Sequence, residues 1–128
     1  MTMPHERVRS IRWGHEFLNE LLLDDSIDES IQDTARRLLR AYLRPEEILA
    51  LIEADAPGLP TAAVDALVEA SALWTRLQFS RQGKPETRQT LMYVQRHFPQ
   101  PSVSRALGMV EVCGLRGWLL PEDHDYER

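Results

Sequence analysis

The chain has 128 residues, of which 43% are apolar and 27% charged. That is the length of one ordinary domain with enough apolar side chain for a core, and it excludes global disorder. The formal net charge of −5 excludes bulk electrostatic attraction to nucleic acid. A single cysteine, Cys113, excludes an intrachain disulfide, and no apolar run reaches the ~18 residues of a membrane span.

The opening "MTMPHERVRS" lacks the apolar centre of a signal peptide, so a cytoplasmic location is expected. Helical spacing dominates the chain and strand-like alternation is scarce, which predicts an all-α fold. The first helix is expected from Pro4 to Leu23, with Glu6 in its anion-favouring first turn. Val8, Ile11, Leu18 and Leu22 form one stripe, and Trp13, Phe17 and Leu21 widen it toward a second neighbour. Ser26 and Glu29 have capping-box spacing, which places a second helix over about Ile27 to Leu43. Pro45 ends that helix at Arg44 and opens a third, with Ile48, Leu51 and Ile52 inward. The segment "DAPGLP", Asp55 to Pro60, is the only internal boundary.

A fourth helix is expected over about Thr61 to Arg81, with Val64, Leu67, Val68, Trp74 and Leu77 apolar. Gly83 breaks the chain. A fifth helix follows from Pro85 to Phe98 and a sixth from Ser102 to Cys113, closed by Gly114. Trp118, Leu119 and Leu120 form a short apolar tail expected to be pinned to the core. Residues 122–128 read as an acidic end outside a single helical domain of residues 1–121.

Sliding the chain against itself by 56 residues aligns this punctuation without a gap. Pro4 falls on Pro60, Val8 on Val64, Leu21 on Leu77, Arg40 on Arg96, Pro45 on Pro101 and Gly58 on Gly114. Ten identities result, against roughly three or four expected by chance. The expectation is a compact bundle of about six helices built from two three-helix units, residues 4–59 and 60–115, with Trp13 and Trp74 in or near the shared core.

The opening also carries a likeness. Met1 to Pro4, Glu6, Arg7, Arg9, Phe17 and Leu18 give the pattern M-T-M-P-x-E-R-x-R followed by F-L. This resembles a family of short uncharacterised bacterial proteins that open the same way and carry a later R-H-[FY]-P. Here "ARRLLRAYLRP" occupies the place of that later motif, and the full form, Arg96 to Pro99, lies in the second half. The resemblance implies no activity.

Candidate chemistry is sparse. His15 and Glu16 begin a zinc-hydrolase-like string, but Asn19 stands where a second histidine must be. Cys113 and His97 lack an orienting partner in sequence, and Cys113 sits among Val110, Val112 and Leu115 as a buried thiol would. Asp24, Asp25, Asp28 and Glu29 lack calcium-loop spacing and read as helix-start charge. The stretch from Pro101 to Leu119 resembles a helix-turn-helix only in outline, because Val112, Cys113, Leu115 and Trp118 cannot read base edges. No catalytic residue, cofactor or metal site is therefore expected.

The remaining candidate is the local excess of positive charge over residues 80–105. Arg81, Lys84, Arg88, Arg96 and Arg105 stand there against Glu86 alone, with His97 and the rings of Tyr93 and Phe98. The expected function is a non-enzymatic interaction or regulatory module with a protein partner. That partner includes the acidic first half of another copy of the chain. The alternative is a nucleic-acid-associated regulator using the same residues.

Overall fold

Five α-helices and a short 3-10 turn make up the regular structure of a computed structural model that describes residues 3–99 and 115–120. No strand occurs among the described residues. The helices are α1 (Pro4–Leu23), α2 (Glu29–Ala41), α3 (Pro45–Glu53), α4 (Thr61–Ser80) and α5 (Pro85–His97); Leu115–Gly117 forms the 3-10 turn. The expected sixth helix, with Arg105 and Cys113, lies outside the described residues.

Proline sets three of these starts. Pro4, Pro45 and Pro85 each occupy a first-turn position, where the missing N–H costs nothing. The second helix starts differently from the sequence expectation. Its N-cap is Asp28 and no side chain caps it, so the Ser26–Glu29 capping box does not form. The Ser26 hydroxyl and N–H both turn instead to Asp24 Oδ1, at 2.6 and 2.9 Å. A nearby buried carboxylate is the stronger acceptor for them.

The four longer helices close a ring in which α1 packs on α2 and α5, and α4 packs on the other faces of the same two. Glu6 meets His97, Ser10 meets Val94, Trp13 meets Tyr93 and Glu20 meets Thr90. Residue numbers rise on one helix as they fall on the other, so α1 and α5 run antiparallel. Arg37 with Glu69 and Ser30 with Arg76 make α2 and α4 antiparallel in the same way. The paired helices match in length, 20 residues for α1 and α4 and 13 for α2 and α5.

Trp74 fills the centre. It is fully buried, with the Phe17 ring 5.2 Å and the Phe98 ring 5.8 Å from its own centroid. Val8, Ile11, Leu18, Leu67, Leu77, Leu91 and Val94 complete the same core. Trp13 does not share it, contrary to expectation: it is 37% exposed and lies against Tyr93 on the outer rim of α1. Val68 likewise points outward, at 50% exposure.

Downstream arginines finish two helices. Arg116 donates to the carbonyls of Ile52 and Glu53 at 2.9 and 2.6 Å, closing α3. Arg88 donates to Leu77 and Gln82 carbonyls through Nη1, at 2.6 and 3.1 Å, and to Gln78 through Nη2 at 3.2 Å, closing α4. Orphan carbonyls at the negative end of a helix dipole are natural partners for a guanidinium. Arg88→Ala is therefore expected to lower stability by about 1–2 kcal/mol in urea denaturation, with Arg88→Lys recovering part of it. The apolar tail is pinned in part: Trp118 and Leu119 are buried together with Leu115, and Arg7 donates to the Trp118 carbonyl at 3.0 Å, while Leu120 is 40% exposed.

Candidate functional site: the cleft between α1 and α5

The residues singled out in the basic segment do not lie together. Arg81 closes α4 in the left-handed region, at φ 60°, and Lys84 is the N-cap of α5. Both are exposed, and the Lys84 ammonium is 3.5 Å from Asp25. Arg88 is spent on the end of α4. Tyr93, Arg96 and His97 sit near the opposite end of α5. Twelve residues separate Lys84 from Arg96, or ~18 Å along a helix. Phe98 offers no ring to solvent, because it is 4% exposed and packs edge-on against Trp74.

What the fold assembles is a cleft of about 220 Å³ between α1 and α5. Tyr93, Arg96 and His97 enter it from α5; Glu6, Arg9, Ser10 and Trp13 enter it from α1. Four rungs join the two helices. The Ser10 hydroxyl, buried, donates to the Val94 carbonyl at 2.6 Å and sets the closest approach. His97 Nδ1 lies 2.8 Å from Glu6 Oε2, with about a quarter of each side chain exposed. The Trp13 and Tyr93 rings are tilted at 60° with centroids 6.2 Å apart, and Thr90 reaches Glu20 at 3.5 Å. The Arg9 guanidinium carbon stands 5.7 Å from the Trp13 ring centroid, a cation–π geometry that keeps one positive charge over the cleft. Arg96 is exposed on the α5 side.

Two rings stand on this rim: Tyr93 is 50% exposed and Trp13 37%. The α1 side of this site was hidden in the sequence. Trp13 read as core because its position on a wide apolar stripe does not say which edge of the stripe is covered.

Within the cleft His97 meets the Glu6 carboxylate, and the Ser10 hydroxyl is committed to the Val94 carbonyl. Among the described residues no cluster of three His, Cys, Asp or Glu could hold a metal ion, and no helix is long and apolar enough to cross a membrane. His15 packs its ring 6.0 Å from Tyr42, and the Asn19 amide donates to the His15 carbonyl.

A different carboxylate carries the strongest electrostatics. Asp24 is 4% exposed, between α1 and the α4–α5 turn. Its Oδ1 accepts from Ser26 twice; its Oδ2 accepts from the Lys84 N–H at 2.9 Å and the Thr87 hydroxyl at 2.7 Å. Burial alone pushes this carboxyl up. The hydrogen bonds from Ser26, Thr87 and Lys84 outweigh burial and hold it well below the usual carboxylate range. Asp24 thus supplies the cap that the first turn of α5 otherwise lacks.

No family model, no curated protein and no solved structure matches the chain.

Proposed function

We propose that this chain is a non-enzymatic protein-interaction module whose contact surface is the α1–α5 face. The observation that carries this reading is the exposed ring pair of Trp13 and Tyr93 beside Arg9 and Arg96. Aromatic residues and arginine dominate the binding energy of protein interfaces, and a folded monomer gains nothing by leaving them in water.

The same proposal includes the internal duplication and its six-helix reading. Its support is the pairing of helices. Adding 56 to Trp13 gives Glu69, and subtracting 56 from Tyr93 gives Arg37. Those two residues form a 2.6 Å ion pair across α2 and α4. Related positions are thus filled by rings on one side of the ring of helices and by a closed charge pair on the other. The α2–α4 groove, lined by Thr34, Arg37, Glu69, Ala72, Leu73 and Arg76, bridges its own rim. The α1–α5 groove keeps its rings outward, which favours it as the surface under functional demand.

The nucleic-acid alternative is supported less well, because Arg88 is committed to the α4 terminus and the other basic groups stand at opposite ends of α5. Reversing Arg88 would uncap α4, so it cannot serve as a binding probe. A photo-crosslinking residue at exposed Gln89, one turn from Tyr93, tests the reading. It is expected to give a defined protein adduct in a native lysate, lost on Trp13→Ala, while the same residue at exposed Ala62 on α4 gives none. Equal labelling from both positions, or no adduct from position 89, would overturn it.

A further inference from the structure

The described chain stops at Leu120, beside the basic end of the cleft. The Trp118 carbonyl accepts from Arg7 Nη1 at 3.0 Å, and Trp118 and Leu119 are buried. Arg7 is the sequence neighbour of Glu6, which lines the cleft. Between His5 and Trp13, α1 carries Arg7, Arg9 and Arg12 against Glu6, and the facing end of α5 adds Arg96. That is four guanidiniums to one carboxylate, a formal +3 with both histidines neutral, and the carboxylate is engaged by His97. Arg7, Arg9 and Arg12 are not bare cations. What a carboxylate-rich segment meets here is the summed excess of the whole end.

Such a segment follows directly. Residues 121–128 read P-E-D-H-D-Y-E-R, with Glu122, Asp123, Asp125 and Glu127 against Arg128, a formal −3, and Tyr126 as their one ring. They lie outside the described residues. Fully extended, such a segment reaches ~26 Å, while Arg7 to Trp13 spans only ~9 Å along α1. The tether therefore brings the segment to the cleft at high effective concentration. The cleft, about 220 Å³, is smaller than the ~300 Å³ at which small-molecule pockets begin, and it suits a single side chain. Its exposed rings and the exposed Arg96 guanidinium match an aromatic group with a carboxylate beside it. Tyr126 with Asp125 and Glu127 supplies both. Accepting the α1–α5 face as the contact surface, we infer that its resident occupant is residues 121–128 of the same chain. Their carboxylates meet the arginine-rich end and Tyr126 covers Trp13 and Tyr93, so that a protein partner binds by displacing them.

The test uses the full chain with the photoreactive benzoylphenylalanine in place of Tyr126. Irradiation of the dilute protein is expected to give a crosslink within one chain, mapped by peptide mass spectrometry to residues 5–16 or 93–97. Its yield should fall as salt screens the charges. Asp123→Lys with Asp125→Lys should lower it at least ~5-fold, with circular dichroism checking that the variant is folded. In the chain that carries its crosslinker at position 89, the same two substitutions should raise the lysate adduct at least ~3-fold, because the partner no longer competes with the tail. No crosslink from position 126, one that joins two chains or maps elsewhere, or a yield indifferent to salt and to charge reversal would each overturn the inference. If position 126 reaches the cleft but position 89 captures no protein, the docked tail stands and the protein-interaction reading falls. If position 89 gives its adduct and position 126 misses the cleft, only the inference falls.

Discussion

Asp24→Asn is expected to destabilise the fold by about 2–3 kcal/mol at neutral pH, the largest effect we anticipate from any single polar residue. The carboxylate accepts four hydrogen bonds, two from each side of a junction between α1 and α5. An amide keeps one acceptor and turns a second donor toward N–H and O–H groups that are themselves donors. The pH dependence has a definite sign. The folded-state pKa lies below the unfolded value near ~3.9, so the ionised form favours folding. That contribution is complete above about pH 5 and is lost progressively as the pH falls below the unfolded pKa toward the folded one. Urea denaturation at pH 7 and at about pH 3 checks both parts. The gap between the original chain and Asp24→Asn should narrow in acid. A gap of the same size at both pH values would show that the charge contributes nothing.

Gly14→Ala should also destabilise, although alanine is the better helix former by about 1 kcal/mol. A methyl group at Gly14 would run into the Tyr42 hydroxyl and crowd the ring behind it, with Phe98 Cε2 at 3.3 Å on the other side. Tyr42 cannot swing away, because it is 3% exposed and its hydroxyl donates to the Ile11 carbonyl at 2.7 Å. Overpacking of this kind costs about 1–3 kcal/mol beyond the gain in propensity. In a Tyr42→Phe background the hydroxyl contact is gone and only the milder approaches to ring Cζ at 3.2 Å and Phe98 Cε2 at 3.3 Å remain, so the double variant should be more stable than the sum of the two single losses. A coupling of about 1 kcal/mol or more is the expected result of the cycle; strict additivity would mean that the site relaxes freely. Tyr42 adds an alkaline signature. Burial pushes its pKa well up, so its neutral form favours folding, and that contribution declines as the pH rises above the unfolded value near ~10.

Helix placement was legible in the sequence because proline and the apolar period act locally. Pro4, Pro45 and Pro85 open their helices where they stand, and the bounds expected for α1 agree with those observed. The start of α2 was misplaced because Ser26 is drawn to a carboxylate whose other partners, Lys84 and Thr87, lie about sixty residues downstream. Nothing local marks Asp24, rather than Asp25 or Asp28, as the buried one. The same limit governs the site. Tyr93, Arg96 and His97 were visible as residue types, but their neighbours Glu6, Arg9 and Trp13 come from a helix nearly ninety positions away. Arg88 read as free positive charge because capping the preceding helix depends on how tightly the chain turns at Gly83. Periodicity counts apolar residues on a face; it does not say whether the outer edge of that face meets another helix or water, which is what separates Trp13 from Trp74.

The antiparallel pairing of α1 with α5 also bears on how the chain reaches its fold. In a bundle that winds up and down, each new helix docks on the one just made, and closure entropy stays small. Here the first helix joins one of its two main partners across a span of some eighty residues, from Ser10 to Val94. Ordering that span comes before the contact rewards it, which raises contact order and slows the search. During synthesis, Phe17 and its neighbours stay without part of their cover until α5 has left the ribosome. A fragment ending at Gly58 has α2 to lean on but neither Trp74 nor Val94, so it remains an open half. The two halves of this chain are completed by each other, and the nascent first half needs α4 and α5 to hide its apolar face.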